Sequence, residues 1–180
     1  SDIAGSFYAH PSRQMAVTAI TGTNGKTTCA QLLANLFELL GEPAGCVGTV
    51  GYGTVANSAA DNQVAELLPD TEIAASDILT TPDAVAMQRI LAELRDAGAR
   101  RVAMEASSHG LVQRRIAGLR IDTAIFTNLS RDHLDYHGTL ERYFAAKRAW
   151  FEALAAEPLG KKPVAVVNID DSHGAELAEL

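Results

Sequence analysis

The sequence predicts an α/β protein, with a mostly parallel sheet of the P-loop type flanked by helices. Strand-like runs alternate with helix-like runs along the chain, as expected for parallel strands joined by helical connections. A glycine-rich loop also lies directly between the first predicted strand and the first predicted helix. The 180 residues suit one domain, and 47% apolar with 21% charged residues is an ordinary globular balance.

The first half of the chain contains two predicted strands and one predicted helix. The strands cover residues 16–20 and 45–50, and the helix covers residues 27–40, with Gly41 suited to end it. The apolar stripe predicted for this helix comprises Leu32, Leu33, Leu36, Phe37 and Leu40. Residues 51–78 are polar and weakly periodic, so we expect a loop or an excursion there.

A second helix is predicted over residues 82–97. Thr81 is placed to cap this helix, Pro82 fits its first turn, and Gly98 can end it. Its predicted apolar face comprises Met87, Ile90, Leu91 and Leu94.

Three more strands and a long helix complete the predicted sheet. The strands cover residues 101–105, 123–127 and 164–168, and the helix covers residues 140–157. Residues 175–180 resemble an unfinished helix, and residue 1 is Ser rather than Met. We therefore expect these residues to be part of a longer protein.

Charge and composition exclude several classes of protein. The net charge of −7 argues against a broad nucleic-acid surface, which requires clustered Lys and Arg. No apolar run is long enough to span a bilayer, and no signal peptide is visible. Cys29 falls in a predicted helix and Cys46 in a predicted strand, so we expect buried thiols rather than a disulfide. Together these features predict a cytoplasmic protein that does not associate with membranes.

The strongest motif is the loop at residues 21–28, which predicts a phosphate site. Its glycines let backbone N–H groups approach phosphate oxygens, and the following helix N-terminus adds partial positive charge. Lys26 can reach the β- and γ-phosphates, and the Thr27 hydroxyl can ligate Mg²⁺. Ile20 stands where the general P-loop pattern has Gly. A glycine-rich turn with a solvated lysine is the alternative.

Polar side chains follow two other predicted strands at their carboxyl ends, where ligands bind in open α/β sheets. Glu105 ends one strand and could hold Mg²⁺ opposite the loop, or simply face solvent. His133 lies in the polar segment after the next strand and could be a nitrogen ligand to Mg²⁺. The four-residue spacing of His133 and His137 would also allow zinc, although a loop is expected there and no third soft ligand is evident.

Lys147 falls in the middle of an apolar helix face. The other members of this face are Leu140, Tyr143, Phe144, Phe151 and Leu154. A lysine seldom occupies a packed face without a partner, although its stem could pack while the ammonium reaches water.

These motifs together resemble the Mur ligase family. The similarity to its phosphate loop rests on Gly22, Thr23, Asn24, Gly25, Lys26, Thr27 and Thr28. Residues 80–84, 104–115 and 128–138 are similar to the members that add the third amino acid to the cell-wall peptide precursor. Leu79 and Ala106 differ from residues common in those relatives. Related folylpolyglutamate synthases usually have Gly-Ser after the loop lysine, whereas this chain has Thr-Thr.

The resemblance implies an ATP-dependent peptide ligase that acts through an acyl phosphate. Residues 1–180 would form its central ATP-binding domain, without the domains that bind the UDP end and the incoming amino acid. Lys147 would be carbamylated by CO₂, which requires a neutral amine that burial favours. Two Mg²⁺ ions are implied, one held by Thr27 and Glu105 and the other by His133 and carbamylated Lys147, which makes Lys26, Glu105, His133 and Lys147 the implied catalytic set.

The implied partners are a UDP-N-acetylmuramoyl dipeptide and a free amino acid, either meso-diaminopimelate or lysine. The implied dipeptide contacts are Thr80, Thr81, Ser107, Gln113 and Arg115. Structural roles remain open for three of them: Thr81 could cap a helix, Ser107 could turn the chain, and Arg115 could be a surface residue. A nucleotide-binding module without turnover and a folylpolyglutamate-type ligase remain alternatives. A GTPase is disfavoured because the chain has no convincing Asn-Lys-x-Asp segment.

Overall fold

One mixed sheet forms the centre of the structure, a computed structural model that describes residues 2–55, 79–156 and 163–180. Its strands are β1 (Ala16–Thr21), β2 (Ala44–Gly48), β3 (Gly51–Thr54), β4 (Arg101–Glu105), β5 (Thr123–Phe126) and β6 (Val164–Val167). Within the described residues the strand order is β3-β2-β4-β1-β5-β6, and β3 alone runs antiparallel to its neighbour. The predicted fold class is confirmed.

Helices pack on both faces of this sheet. They are α1 (Asp2–Phe7), α2 (Lys26–Leu39), α3 (Ala84–Asp96), α4 (Ser108–Val112), α5 (Leu134–His137), α6 (Leu140–Ala155) and α7 (Ser172–Leu177). A 3₁₀ turn at Pro11–Arg13 precedes β1. None of the helices in the described ranges is long and apolar enough to cross a membrane.

The central strand β1 aligns the functional ends of its neighbours. Ile20 pairs in register with Glu105 of β4 and with Ile125 of β5. Because these strands are parallel, their carboxyl ends meet at one edge of the sheet. The loop after β1, the acid that ends β4 and the segment after β5 therefore start from neighbouring points.

The face predicted for α3 is confirmed, and the face predicted for α2 is wrong. On α3, Met87, Ile90, Leu91 and Leu94 are all buried. On α2 the buried residues are Ala30 and Ala34, with Leu33 and Phe37 partly buried. Three residues of the predicted stripe are largely exposed: Leu32, Leu36 and Leu40. The small alanines let α2 approach the sheet closely, and this rotates the leucines outward.

The second predicted strand ends earlier than expected, and the segment after it is not a loop throughout. β2 stops at Gly48, and β3 covers Gly51–Thr54, inside residues predicted to be a loop. The two glycines of β3 have no side chains to show the alternation of a strand, which is why the pattern missed it. The rest of the predicted excursion, residues 56–78, lies outside the described residues.

The predicted cap of α3 is also wrong. The Asp83 carboxylate accepts hydrogen bonds from the backbone N–H groups of Val85 and Ala86, at 2.9 and 3.0 Å. Thr81 and Pro82 precede this cap, so Thr81 is free for another role. The glycine predicted to end the helix is confirmed, because Gly98 follows it in the left-handed region at φ 92°.

The short helices show where local pattern was insufficient. The single turn α5 was predicted to be a loop, and α1 was not predicted at all. The last helix, α7, begins at Ser172 rather than at residue 175, because Asp171 caps it. The helix α6 and the strands β4, β5 and β6 agree with prediction to within two residues, with residue 157 outside the described ranges. Cys29 and Cys46 are free thiols in α2 and β2, as expected, but only Cys46 is buried and Cys29 is half-buried.

Candidate functional site

The loop between β1 and α2 adopts the backbone required of a phosphate loop. Gly25 precedes α2 in the left-handed region, at φ 84°, where a side chain would be strained. At Gly22 an added Cβ would overlap the Thr127 hydroxyl, so only glycine allows the loop to lie this close to the segment after β5. The helix N-terminus that follows presents backbone N–H groups to the space above the loop.

The segment after β5 holds the loop in place. Thr23 N–H donates to Asn128 O at 2.9 Å, and Asn24 N–H donates to Asn128 Oδ1 at 3.0 Å. Ser130 N–H donates to Thr23 Oγ1 at 2.9 Å, and Thr127 Oγ1 donates to Asn24 O at 2.7 Å. This cross-linking fixes the loop before any ligand binds, which reduces the ordering cost of binding.

Lys26 and Thr27 occupy the first turn of α2. The Lys26 ammonium donates to Gly22 O at 3.0 Å and to Thr23 O at 2.8 Å, so it lies over the loop. Burial lowers the pKa of Lys26, while Glu105 and Asp132 act in the opposite direction. Thr28, also predicted to bind ATP, is exposed and does not line the cavity.

Glu105 is a buried carboxylate fixed by hydroxyl and backbone donors. It is 1% exposed, and Thr27 Oγ1 donates to its Oε1 at 2.9 Å. Thr49 donates twice, from its N–H to Oε1 at 2.8 Å and from its hydroxyl to Oε2 at 3.2 Å. Glu105 lines the cavity while almost none of its surface is exposed, so the solvent-facing alternative is wrong, and carboxylate oxygens are ligands that suit Mg²⁺.

Lys147 is fully buried in α6, so the alternative in which its ammonium reaches water is wrong. Its Nζ donates to Thr21 Oγ1 at 3.1 Å and to Gly22 O at 3.3 Å, and lies 4.7 Å from the centre of the Tyr143 ring. Burial, with a smaller contribution from Lys26, lowers the pKa of Lys147 to about 7. A large share of this amine is therefore neutral and nucleophilic near neutral pH.

His133 belongs to a cluster of rings beside the loop. Its ring centre lies 4.9 Å from that of His109 and 5.9 Å from that of Tyr143. Burial and the neighbouring His133 lower the pKa of His109. His133 faces the cavity, whereas the Nε2 of the buried His137 pairs with Ser108 Oγ at 3.0 Å.

The zinc alternative finds no support in this arrangement. In residues 2–55, 79–156 and 163–180, no group of three or more His, Cys, Asp or Glu side chains is arranged to hold a metal ion. The His137 ring is hydrogen-bonded to Ser108, so it is not paired with His133 as a metal ligand. The four-residue spacing of the two histidines follows from the single helical turn α5.

Five residues were implied as catalytic residues or magnesium ligands, and four of them line one cavity of about 420 Å³: Lys26, Thr27, Glu105 and His133. Lys147 does not line it and lies behind Gly22 and Tyr143, which do.

The residues predicted to bind the dipeptide lie in the wall of the same cavity or directly behind it. Thr80, Ser107 and Arg115 line it, and Thr81 and Gln113 support them from behind. Thr81 Oγ1 accepts from Ser107 N–H at 2.9 Å and lies 3.0 Å from Glu105 O. Arg115 donates to Thr81 O at 2.8 Å and to Gln113 Oε1 through two nitrogens, so it is anchored and not a loose surface residue. Ser107 also caps α4, so it has a structural role in addition to its place in the cavity wall.

Sequence reasoning missed four residues that line the cavity: Thr49, Ser108, His109 and Tyr143. Thr49 was predicted to lie inside a strand, but β2 ends at Gly48. With that boundary, Thr49 would have been recognised as a polar residue at the carboxyl end of a strand, where ligands bind. Tyr143 was assigned only to an apolar face, although a buried tyrosine hydroxyl usually has a partner. No local signal pointed to His109.

Comparison with known proteins agrees with this geometry. Residues 20–180 match the family described as the Mur ligase middle domain. This chain belongs to the Mur ligase family. The curated relatives include Mur ligases from Ectopseudomonas mendocina, 49% identical over 179 residues, and from Pseudomonas aeruginosa, 48% identical over 178 residues. Both are named UDP-N-acetylmuramoyl-L-alanyl-D-glutamate–2,6-diaminopimelate ligase, and each alignment covers 99% of this chain.

The chain spans about a third of these relatives, 32% of each. A solved structure of a Mur ligase with the same name superimposes with a TM-score of 0.71 at 34% identity, covering 99% of this chain and 33% of the other. The Escherichia coli FolC structure in complex with DHPP and ADP superimposes with a TM-score of 0.62 at 20% identity, covering 98% of this chain and 44% of the other. The second likeness shows that the two proteins share the fold.

Proposed function

We propose that this chain is the central ATP-binding domain of a ligase that joins the third amino acid to UDP-N-acetylmuramoyl-L-alanyl-D-glutamate. The names of the most similar relatives favour 2,6-diaminopimelate as that amino acid. In this proposal, other domains of the enzyme hold the UDP end and the incoming amino acid. A folylpolyglutamate-type ligase is disfavoured by the greater similarity to diaminopimelate ligases.

The observation that carries the proposal is the convergence of a phosphate loop, a buried acid and a buried lysine at one edge of the sheet. Thr27 and Glu105 are joined by a hydrogen bond of 2.9 Å. Lys147 reaches the same loop from the opposite side, at 3.3 Å from Gly22 O. Such an arrangement suits phosphoryl transfer, in which the enzyme mainly positions groups and neutralises charge.

The donor set fits magnesium. Mg²⁺ prefers oxygen ligands, and the Thr27 hydroxyl and Glu105 carboxylate already lie together on the cavity wall. His133 could add a nitrogen donor from its side of the cavity, and carbamylated Lys147 further oxygens. When bound there, magnesium would neutralise charge on the phosphates and on the acceptor carboxylate.

The phosphate loop would bind the triphosphate of ATP. The N–H groups of Thr23 and Asn24 are used by Asn128, so the N–H groups at the N-terminus of α2 would be the backbone donors to the phosphates. The hydrogen bonds from the loop to Asn128 and Ser130 fix the position of that helix end. Lys26 would exchange its contacts with loop carbonyls for contacts with the β- and γ-phosphates. Thr23, Asn24 and Gly25 line the cavity beside it.

Lys147 would act as a carbamate. The neutral amine attacks CO₂ and loses a proton, which replaces an ammonium by a carboxylate-like group. Its buried position and lowered pKa favour the first step. The resulting oxygens would face the cavity between Gly22 and Tyr143.

Part of the same cavity wall would hold the acceptor. Arg115, fixed by Gln113 and Thr81, could pair with an anionic group of the dipeptide, and Thr80 and Ser107 could donate hydrogen bonds. The D-glutamate side-chain carboxylate would then attack the γ-phosphate, and ADP would leave. The amino group of the incoming amino acid would attack the acyl phosphate, forming the amide and releasing phosphate.

The test is the variant Lys147→Ala in the full-length enzyme, assayed for amide formation. We expect turnover to be abolished and to be partly restored by added formate or acetate, which would supply the missing carboxylate oxygens. Arg142→Ala, which replaces an exposed basic residue of the same helix, is the matched control and should remain active. Full activity of Lys147→Ala would refute the role of Lys147.

A second experiment measures ATP binding, amide formation and phosphate release by the 180-residue chain alone. Since it spans only about a third of its relatives, we expect it to bind ATP without forming an amide. Phosphate release at the rate of the full-length enzyme would contradict the assignment of substrate binding to other domains.

A further inference from the structure

Tyr143 connects the phosphate loop, Lys147 and the ring cluster, although the proposed reaction gives it no task. It is 1% exposed, and its hydroxyl lies 3.2 Å from Thr23 Oγ1. Its ring faces Lys147 Nζ one helical turn further along α6, at 4.7 Å. The His137 ring packs on it with 5.0 Å between centres and a tilt of 35°. The ring therefore has one orientation, and the hydroxyl is held toward the loop.

Thr23 Oγ1 also contacts the backbone of Ser130. It accepts from Ser130 N–H at 2.9 Å and can donate its single hydrogen to Ser130 O at 3.3 Å. When that hydrogen goes to Ser130 O, the tyrosine is the donor; otherwise Thr23 donates to the Tyr143 oxygen, and the pair is joined in both cases. Thr23 is thus held from two sides, by the segment after β5 and by α6.

Lys147 and Tyr143 attach α6 to consecutive residues of the loop, but only one of these attachments is independent of carbamylation. The unmodified amine donates to both Thr21 Oγ1 and Gly22 O. A carbamate nitrogen keeps one N–H, so at least one of these two hydrogen bonds is lost. The hydrogen bond between Tyr143 and Thr23 involves neither the lysine nor its modification.

We propose that Tyr143 is a positioning residue that keeps Thr23 and the phosphate loop attached to α6 whichever covalent state Lys147 adopts. This inference rests on the proposed function for the carbamylation of Lys147. In this role Tyr143 holds the phosphate loop in position for the nucleotide and takes no part in the bond-making steps.

The test is a double-mutant cycle in the full-length protein, with the affinity for magnesium and a β,γ-imido analogue of ATP measured by calorimetry. Tyr143→Phe removes the hydroxyl and keeps the ring, so we expect the Kd to rise about fivefold, the typical effect of one hydrogen bond. Thr23→Val should weaken binding at least as much. The double variant should bind no more weakly than Thr23→Val alone, because the tyrosine acts through Thr23.

Tyr52→Phe is the matched control, since Tyr52 is a partly buried tyrosine on β3 that does not line the cavity. Its Kd should stay within about twofold of wild type. Thermal unfolding identifies any variant that fails to fold. If Thr23→Val does not fold, steady-state kinetics of Tyr143→Phe decide: a raised KM for ATP with an unchanged kcat supports the inference, and an unchanged KM overturns it.

The inference is overturned if Tyr143→Phe lowers the unfolding temperature and leaves the Kd unchanged, or if the two substitutions weaken binding independently. Failure of the proposed function is a separate result. It would appear as a lack of amide formation by the wild-type enzyme, while the nucleotide affinities could still be compared.

Discussion

The replacement Lys147→Met should make the folded chain more stable, and under the proposed function it should also abolish amide formation by the full-length enzyme. Lys147 has no exposed surface, and its pKa falls from 10.5 in water to about 7 in the folded chain. At pH 7 this difference costs the folded state about 4 kcal/mol relative to a residue that does not titrate. Methionine fills the same space without that cost.

The gain is reduced by the hydrogen bonds that methionine cannot make. Thr21 Oγ1 and Gly22 O each lose a donor, which costs about 1 kcal/mol apiece. We therefore expect Lys147→Met to raise the free energy of unfolding at pH 7 by about 2 kcal/mol. Activity should disappear because no carbamate can form.

The pH dependence gives a second, independent reading. Because the pKa of Lys147 is lower in the folded chain, the unfolded chain binds more protons between about pH 7 and pH 10.5. The destabilisation is fully present below pH 7 and disappears as the pH rises toward 10.5. The wild-type chain should therefore gain stability over this interval relative to Lys147→Met.

Urea unfolding at pH 7 and pH 9.5 in buffer free of CO₂ measures both effects on this chain. Arg142→Met is the control, since replacing an exposed residue of the same helix should change stability by about 0.5 kcal/mol or less. The reasoning is refuted if Lys147→Met is less stable than wild type at pH 7 and shows the same pH dependence.

Two further substitutions test the supports of the site. An added Cβ at Gly48 would overlap Glu105 Oε1, so Gly48→Ala should displace the carboxylate and lower kcat of the full-length enzyme by about tenfold or more. At Gly41 the Cβ meets no atom but φ is 77°, so Gly41→Ala should lower stability through backbone strain and leave kcat unchanged. Asp83→Ala removes the cap of α3 and should lower the free energy of unfolding by about 1 kcal/mol. Equal kcat for Gly48→Ala and Gly41→Ala would contradict the first expectation, and an unchanged unfolding midpoint for Asp83→Ala would contradict the second.

The fold could be predicted where sequence pattern and tertiary packing agree. The strand at Arg101–Glu105 matches prediction at both ends, and the buried face of α3 matches in full. The face of α2 could not be predicted, because its alanines pack and its leucines do not. Hydrophobicity favours leucine on a core face, whereas the closeness of helix and sheet is a property of the assembled fold.

The site residues that could be predicted are those marked by the end of a strand, by a glycine-rich loop or by helical spacing. Glu105 ends a strand, Lys26 and Thr27 follow a glycine loop, and Lys147 interrupts an apolar face, so each has a local signal. The partners of these residues have none. Thr49 contacts Glu105 across 56 positions of sequence, and Tyr143 contacts Thr23 across 120, so only the folded chain brings them together.

The central claim is that one pocket holds the metal ions between the phosphate loop and a carbamylated Lys147. The most direct measurement is a crystal structure of the full-length enzyme with an ATP analogue, bicarbonate and Mn²⁺ in place of Mg²⁺, because manganese is located by its anomalous scattering. We predict two manganese peaks, one bound by Thr27 and Glu105 and the other by His133 and extra density on Lys147 Nζ. Manganese bound elsewhere, with an unmodified Lys147 in a fully active enzyme, would contradict the account.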